Sequence, residues 1–346
     1  MDPRSEQYPG DGRRSHLTGN DLRIDEKEEE QLSLFPVAVE ENPTSFSISE
    51  KEINKTAVEQ NATAVSISKN FHITNNELGA AGPKTKFNWN IEAIKTLKKI
   101  EAENRLATPE EQEVLSRYVG WGGLSSAFDK DNEAWANEYI ELKELLTDAE
   151  YASARESTLN SHYTSPVIIK AMYQALENMG FKKGNILEPS CGIGNFMGLL
   201  PETLSDSVFY GVELDDLSGR IAKQLYQKAN ITIDGFENTD FPDYFFDVAI
   251  GNVPFGQYQV ADSRYDKYGF LIHDYFFAKT LDKVRPGGII ALITSKGTMD
   301  KENEEVRKYI AQRADLIGAI RLPNNAFKNA GTEVTADIIF LQKRNH

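Results

Sequence analysis

Short apolar runs alternate with segments of helical character from His162 to the end of the chain. Seven runs have the length of strands: GNILEPS, SVFYGVEL, NITIDGF, FFDVAIG, GGIIALITS, DLIGAIRL and ADIIFLQK. Helical segments lie between them near MGLLPETL, SGRIAKQLYQKA, HDYFFAKTLDKV and NEEVRKYIAQRA. This alternation predicts a doubly wound α/β sheet over residues 161–346. Because no helical segment separates the last two runs, we expect them to form an antiparallel pair at one edge of the sheet.

Residues 85–160 have the pattern of a small helical subdomain. The first helix is indicated by apolar residues that recur at helical spacing: Ile91, Ile94, Leu97 and Ile100. Thr108 and Glu111 form a capping-box pattern, which predicts a second helix that ends near Gly120. Thr147 and Glu150 repeat this pattern before DAEYASARES, and NEAWANEYIELKELL is also predicted to be helical.

Residues 1–84 are polar and keep neither helical nor strand periodicity, which predicts a disordered acidic tail or linker. Residues 1–70 hold 14 Asp or Glu against 8 Lys or Arg, and the whole chain has a net charge of -15. This balance argues against coating nucleic acid by bulk attraction, but a local basic groove is compatible with it.

Composition narrows the classes of protein further. No apolar run approaches the roughly 20 residues that cross a bilayer, and the polar N-terminus does not resemble a signal peptide. The single cysteine, Cys191, excludes an internal disulfide framework and fits a reducing cytoplasm. The five histidines show no metal-ligand spacing. We therefore expect a cytoplasmic protein without a membrane anchor or a metal site.

The motif ILEPSCGIGNF, residues 186–196, is typical of a cofactor loop. Its strand ends at Glu188, and Gly192 and Gly194 allow a tight turn that a ligand can approach closely before the next helix begins. The dinucleotide fingerprint does not fit, because Gly198 comes one position late. An acidic residue at the strand end would repel a pyrophosphate but suits the amino group and sulfonium of S-adenosylmethionine. A plain strand-to-helix turn is the alternative.

Two further motifs support this interpretation. In FYGVELDD, Glu213 ends the second strand. It follows the glycine turn at about the sequence distance at which an acid binds two ribose hydroxyls in nucleotide-binding folds. In GNVPFG, the Asn252 oxygen and the next main-chain carbonyl can accept the two N–H bonds of adenine, which makes its amino nitrogen more nucleophilic. Pro254 fixes the backbone, and Phe255 offers a face for a flipped-out base. A Gly/Pro turn with a half-buried Phe is the alternative.

Together, EPSCGIGNF, VEL and GNVPFG, with SHYTSP before them, resemble the motifs of adenine-specific (N6) DNA methyltransferases. RYVGWGGLSSAFD, TSKGTMD and AIRLPNNAF are similar to the methylase region of large methylase-helicase proteins of bacterial conjugative elements and phages. The resemblance implies a Rossmann-like, seven-stranded, S-adenosylmethionine-dependent methyltransferase domain. It places Asn252, Val253, Pro254 and Phe255 in the catalytic element. It places the cofactor at Tyr163, Thr164, Pro166, Glu188, Pro189, Cys191, Gly192, Gly194, Asn195, Phe196, Glu213, Leu214 and Glu237.

The sequence departs from the family pattern at two points. Val253 replaces the first proline of the usual N-P-P-F or N-P-P-Y, so the carbonyl acceptor is kept and we expect a less rigid loop. The acid that binds the cofactor adenine after the third strand is either Glu237 or Asp240, and Glu237 is favoured.

The expected activity is methyl transfer from S-adenosylmethionine to adenine in DNA. The alternatives are an RNA guanine or protein glutamine methyltransferase, and a non-catalytic DNA-associated module with a decayed active element. The loop QYQVADSRYDKYGF is either a DNA contact or a surface loop. Trp121 in VGWGGL either closes over the site or packs the helices onto the sheet.

Partners beyond DNA are also indicated. The apolar island QLSLF, Gln31–Phe35, resembles peptides that dock on the replication sliding clamp. No target-recognition domain follows the seven strands, so we expect a helicase region or a separate specificity partner.

Overall fold

The computed structural model describes residues 68–158, 164–327 and 334–345. The helices are α1 (Pro83–Ala102), α2 (Pro109–Leu115), α3 (Ala136–Leu145), α4 (Asp148–Ser157), α5 (Pro166–Asn178), α6 (Asn195–Gly198), α7 (Asp216–Leu225), α8 (Ile272–Lys283), α9 (Gly297–Asp300) and α10 (Glu305–Ala311). The strands are β1 (Asn185–Glu188), β2 (Val208–Glu213), β3 (Asn230–Ile233), β4 (Phe246–Asn252), β5 (Val284–Ser295), β6 (Ala314–Arg321) and β7 (Ala336–Lys343). Among the residues so described, no helix combines the length and apolar character needed to cross a membrane.

The strands form one seven-stranded sheet in the order β3-β2-β1-β4-β5-β7-β6. Strands β1 to β5 pair in parallel, while β7 runs antiparallel to both β5 and β6. The predicted doubly wound sheet and its antiparallel edge pair are confirmed. The order reverses between β1 and β4, and in such sheets this switch point is where ligands bind.

Both faces of the sheet are covered at its centre, and successive residues of the central strands point to opposite sides. Ile186 and Val248 pack with residues of α1, α5 and α7. Their neighbours Leu187 and Ala249 pack on the other face with residues of α8 and α10. The central strands β1 and β4 are therefore buried on both sides, whereas most residues of the edge strands β3 and β6 are partly or fully exposed.

The N-terminal helices share this core and are also held to α7 by polar contacts. Phe87 of α1 belongs to the same apolar cluster as Ile186 of the sheet. Arg220 of α7 donates to Glu101 at 2.7 Å and to Glu150 at 2.8 Å. These bonds join α1 and α4 to the helix that follows β2, so the helices are positioned at the carboxyl side of the sheet.

Three local predictions need correction. Helix α2 ends at Leu115 and not near Gly120, because the side chain of Asn90 bonds Val119 N (2.9 Å) and Gly120 O (2.6 Å) and redirects the chain. The helix predicted near MGLLPETL is only the single turn α6 and a short 3-10 turn at Glu202–Leu204. Pro201 separates them, since proline cannot continue a helical ladder.

The predicted tail is also too long at its C-terminal end. Phe71 N donates to Leu225 O and Ile73 N to Gly198 O, both at 2.8 Å, and α1 begins at Pro83. Helix α5 was not predicted from the sequence, although Pro166 at its first position is typical of a helix start. Residues Gln31–Phe35 lie outside the described residues.

Candidate active site

A cavity of about 570 Å³ opens at the carboxyl ends of β1, β2 and β4, at the switch point of the sheet. Most of the predicted site residues line it: Thr164, Glu188, Pro189, Cys191, Gly192, Asn195, Phe196, Glu213, Leu214, Glu237, Asn252, Val253 and Pro254. Pro166, Gly194 and Phe255 are not part of its lining. Tyr163 lies outside the described residues. Motifs distant in sequence are thus brought to one cavity.

The turn after β1 depends on its two glycines in different ways. Gly192 has a φ of 55°, and no described atom lies within 4 Å of the position that a Cβ would take. Gly194 has a φ of 89°, and a Cβ there would overlap the ring of Tyr226. Both values lie in the left-handed region that favours glycine. Gly192 therefore leaves room beside the backbone, whereas Gly194 lets the turn pack against the protein.

Two carboxyl groups stand at the cofactor end of the cavity. Glu213 accepts hydrogen bonds from Gly192 N at 2.7 Å and from Asp215 N at 2.8 Å. Burial raises the pKa of Glu213 to about 7, against the lowering effect of these backbone bonds. Burial, together with the charge of Glu213, also raises the pKa of Glu188 well above its usual value. A cation or a hydrogen-bond donor placed here would favour the ionised forms of both groups.

The cavity fits S-adenosylmethionine. Glu188 is almost completely buried, and its Oε2 has no hydrogen-bond partner within the described parts of the chain. Such an atom is costly unless a ligand supplies a donor, and the amino group of the cofactor is one. Glu213 is placed to accept ribose hydroxyls. The cavity also has an apolar wall of the kind that suits a planar ring, and it is formed by Phe236, Val260, Ile272 and Phe276.

Asn252, the last residue of β4, lines the same cavity as the glycine turn. Its Nδ2 donates to Thr164 Oγ1 at 3.1 Å, which fixes the plane of the amide. The next residue, Val253, is 2% exposed, and its N–H donates to Ile293 O at 3.0 Å. Proline has no N–H and cannot make this bond. The valine therefore extends the β4–β5 ladder, so the backbone restraint lost with proline is replaced by a hydrogen bond.

Phe255 and the loop after it are placed differently from the expected base contacts. Phe255 is partly buried and packs edge to face on Phe327, with ring centroids 6.4 Å apart. Tyr265 is buried and donates to Asp282 Oδ2 at 2.6 Å. Tyr265 therefore anchors the loop 257–270 to α8, while most residues of the loop are exposed. Tyr258 and Val260 of this loop line the cavity, and Tyr258 is 47% exposed.

The N-terminal helical segment supplies part of the cavity wall. Its lining residues are Tyr118, Val119, Gly120, Ser153, Glu156 and Ser157. Trp121 itself is buried and contacts Phe128 edge to face at 5.3 Å. Within VGWGGL, Trp121 packs in the core, whereas Val119 and Gly120 before it line the cavity.

One acidic residue of the site was missed in the sequence. Asp234 follows β3 directly and lines the cavity beside Glu237, whereas Asp240 does not line it. Asp234 Oδ1 accepts from Asn238 Nδ2 and Gly235 N, both at 2.7 Å, and these bonds lower its pKa. Asp234 follows β3 much as Glu213 ends β2. This position at a strand end is the sequence feature from which Asp234 could have been predicted as a site residue.

Comparison with known proteins gives consistent relatives. The profile of the N-6 DNA Methylase family matches residues 141–346, more than half of the chain. The chain is similar to the "Defense against restriction protein B" of Escherichia phage P1, with 26% identity over 68% of this chain and 9% of that protein. It is 38% identical to the Type II methyltransferase M.CvrRI of Paramecium bursaria Chlorella virus XZ-6E, over 49% of this chain and 45% of that protein. It is 24% identical to the rRNA N(6)-adenosine-methyltransferase metl-5 of Caenorhabditis elegans, over 58% of this chain and 95% of that protein. The chain thus spans less than a tenth of the phage relative's length.

Proposed function

The chain belongs to the N-6 DNA methylase family and uses S-adenosylmethionine, and from this premise we propose that it methylates the N6 amino group of adenine in DNA. The observation that carries the proposal is the placement of Asn252 in the same cavity as Gly192 and Glu213. An amide that can bind a planar amino group therefore lies where a methyl donor fits. The match to a Type II methyltransferase supports DNA as the substrate class.

The cofactor end of the site binds and orients the methyl donor. S-adenosylmethionine supplies an electrophilic methyl carbon. Glu188 offers its unpartnered carboxyl oxygen to the amino group of the methionine part. Glu213 holds the ribose hydroxyls, and its bonds to Gly192 N and Asp215 N fix the direction of its carboxylate. Because a cation beside Glu188 and hydrogen-bond donors beside Glu213 favour the ionised carboxylates, cofactor binding releases protons from them.

The catalytic end acts on the adenine. The Asn252 side-chain oxygen and the Val253 carbonyl accept the two N–H bonds, which draws the nitrogen lone pair out of conjugation with the ring. The bond from Asn252 Nδ2 to Thr164 holds the amide in place before the base enters. The nitrogen becomes acidic only as the new N–C bond forms, so its proton passes to water without a dedicated base.

Adenosine in ribosomal RNA is the second candidate substrate. One relative is an rRNA N(6)-adenosine-methyltransferase, and the match covers 95% of that protein. The same amide geometry would serve adenine in either polymer, since the amino group is identical. Comparing the two substrates directly is therefore part of the test.

The test measures transfer of a tritiated methyl group from S-adenosylmethionine to unmethylated DNA, to RNA and to protein. We expect labelled N6-methyladenine in DNA. Asn252→Ala should lower the rate by about 100-fold or more while leaving the cofactor affinity close to wild type, because the amide acts only on the adenine.

Asn137→Ala is the matched control, because Asn137 is an exposed asparagine of α3. It should keep wild-type activity. Label in RNA but not in DNA would exclude the DNA assignment. Equal loss of cofactor affinity and activity in Asn252→Ala would contradict the division of roles within the site.

A further inference from the structure

A second cavity, of about 640 Å³, lies among the N-terminal helices, and we call it the cationic pocket. Its basic residues are Lys130, Lys143 and Arg155, and its aromatic residues are Phe128, Tyr139 and Tyr151. Nothing in the proposed reaction uses these side chains. A concave site that combines cations with aromatic rings has the composition of a nucleic-acid contact.

The cations of this pocket form no close ion pairs within the described residues. None of the three has a carboxylate within 4.0 Å in the described parts of the chain. Lys143 Nζ lies 3.7 Å from the centre of the Tyr151 ring, a contact that holds the ammonium in place without cancelling its charge. Asp129 and Asp131 also line the pocket, but the cations outnumber them. In a chain with a net charge of -15, this is a local reversal of sign.

Helix α4 connects the cationic pocket to the active-site cavity. One face of the helix lines the cationic pocket with Tyr151 and Arg155, and the C-cap residue Thr158 lines it on the same side. The other face lines the active-site cavity with Ser153, Glu156 and Ser157. At about 3.6 residues per turn these two sets point in opposite directions, so the helix diameter of about 10–12 Å separates the pockets. That distance corresponds to about three nucleotides of one strand at roughly 3.4 Å each.

Building on the proposed function, we infer that the cationic pocket binds the DNA backbone a few nucleotides from the adenine that enters the active site. Arg155 and Lys143 pair with phosphate oxygens, which suit a guanidinium and an ammonium. The partly exposed ring of Tyr139 lies beside the adjoining sugar and base. The pocket acts on affinity and on the position of the strand, and it does not contact the reacting atoms.

The inference is tested by the binding of a short labelled adenine-containing duplex at about 0.05 to 0.2 M salt, together with steady-state methyl transfer. Lys143→Ala and Arg155→Ala should each weaken binding about tenfold at low salt and reduce the slope of log K against log salt by about 0.9. KM for DNA should rise to match, while kcat and cofactor affinity stay unchanged. Arg155→Lys, which keeps the charge, should recover most of the affinity.

Lys182→Ala is the matched control, since Lys182 is exposed and lies before β1, at the end of the sheet away from the cavity. It should bind DNA as wild type does. If wild type methylates DNA and both pocket variants keep its affinity and salt slope, the inference is wrong and the proposed function stands. If wild type neither binds nor methylates DNA, the proposed function fails and the inference fails with it. Melting temperatures equal to wild type show that the exposed substitutions leave the fold intact.

Discussion

Replacing Glu213 with Gln should change the pH dependence of stability in the protein without cofactor. The pKa of Glu213 is raised from 4.5 to about 7, mainly by burial. A raised pKa in the folded state means that the folded protein holds a proton that the unfolded chain releases. The protonated Glu213 therefore contributes to the free energy of unfolding. This contribution is fully present below pH 4.5 and is lost as the pH rises through about 7. A shift of about 2.5 units corresponds to about 3 kcal/mol of unfolding free energy.

Gln is neutral at every pH in this range, so the variant does not lose this stability. It does lose one acceptor, because the amide nitrogen cannot accept from Gly192 N or Asp215 N as a carboxylate oxygen does. That loss costs about 1 kcal/mol. Glu213→Gln should therefore be about 1 kcal/mol less stable than wild type near pH 4.5 and about 2 kcal/mol more stable near pH 8.

Urea unfolding at a series of pH values without cofactor measures this difference. Glu156→Gln is the control, because Glu156 lines the rim of the same cavity on α4 and is exposed. Its curve should run parallel to wild type. A Glu213→Gln curve that also runs parallel, with the same offset near pH 5 and near pH 8, would refute the coupling between burial and ionisation. In cofactor titrations, wild-type affinity should rise as the pH passes through about 7, and this rise should be absent in Glu213→Gln.

Three other substitutions test the support of the site. Gly194→Ala should lower stability by about 2 kcal/mol in urea unfolding, because its Cβ overlaps the Tyr226 ring and its φ is left-handed; a stability equal to wild type would contradict the packing. Arg220→Lys keeps the charge but loses the forked hydrogen bonds to carboxylates of α1, α4 and α7, so the melting temperature should fall by several degrees. An unchanged melting temperature would show that a positive charge alone is enough to hold these helices together. Asp274→Asn should cost about 3 kcal/mol, since Asp274 is fully buried and pairs with Lys301; a loss below about 1 kcal/mol would show that the pair is not important for stability.

Local sequence patterns were sufficient for the seven strands, for most of the longer helices and for much of the site. The central strands β1, β4 and β7 are short apolar runs buried on both faces, so they can be recognised without knowledge of their neighbours, whereas the edge strands β3 and β6 are more exposed. The capping boxes at Thr108 and Thr147 form within four residues and are present as predicted. Glu188, Glu213 and Asn252 all end parallel strands, and the carboxyl ends of such strands share one edge of the sheet.

Other features depended on contacts between distant residues, which no local pattern contains. The sequence predicted an antiparallel edge pair, but only the sheet shows β7 inserted between β5 and β6. The side chain of Asn90 forms hydrogen bonds with the backbone after α2, about 30 residues away in sequence. These bonds depend on how α1 packs beside α2. The hydrogen bond from Val253 N to Ile293 O also joins residues that are distant in sequence. It restrains the Asn252–Phe255 loop, which the sequence alone predicted to be less rigid. Patterns along the chain thus determine which segments form and which residue types end them. The tertiary structure decides what each side chain meets, because burial and hydrogen bonding depend on the whole packed core.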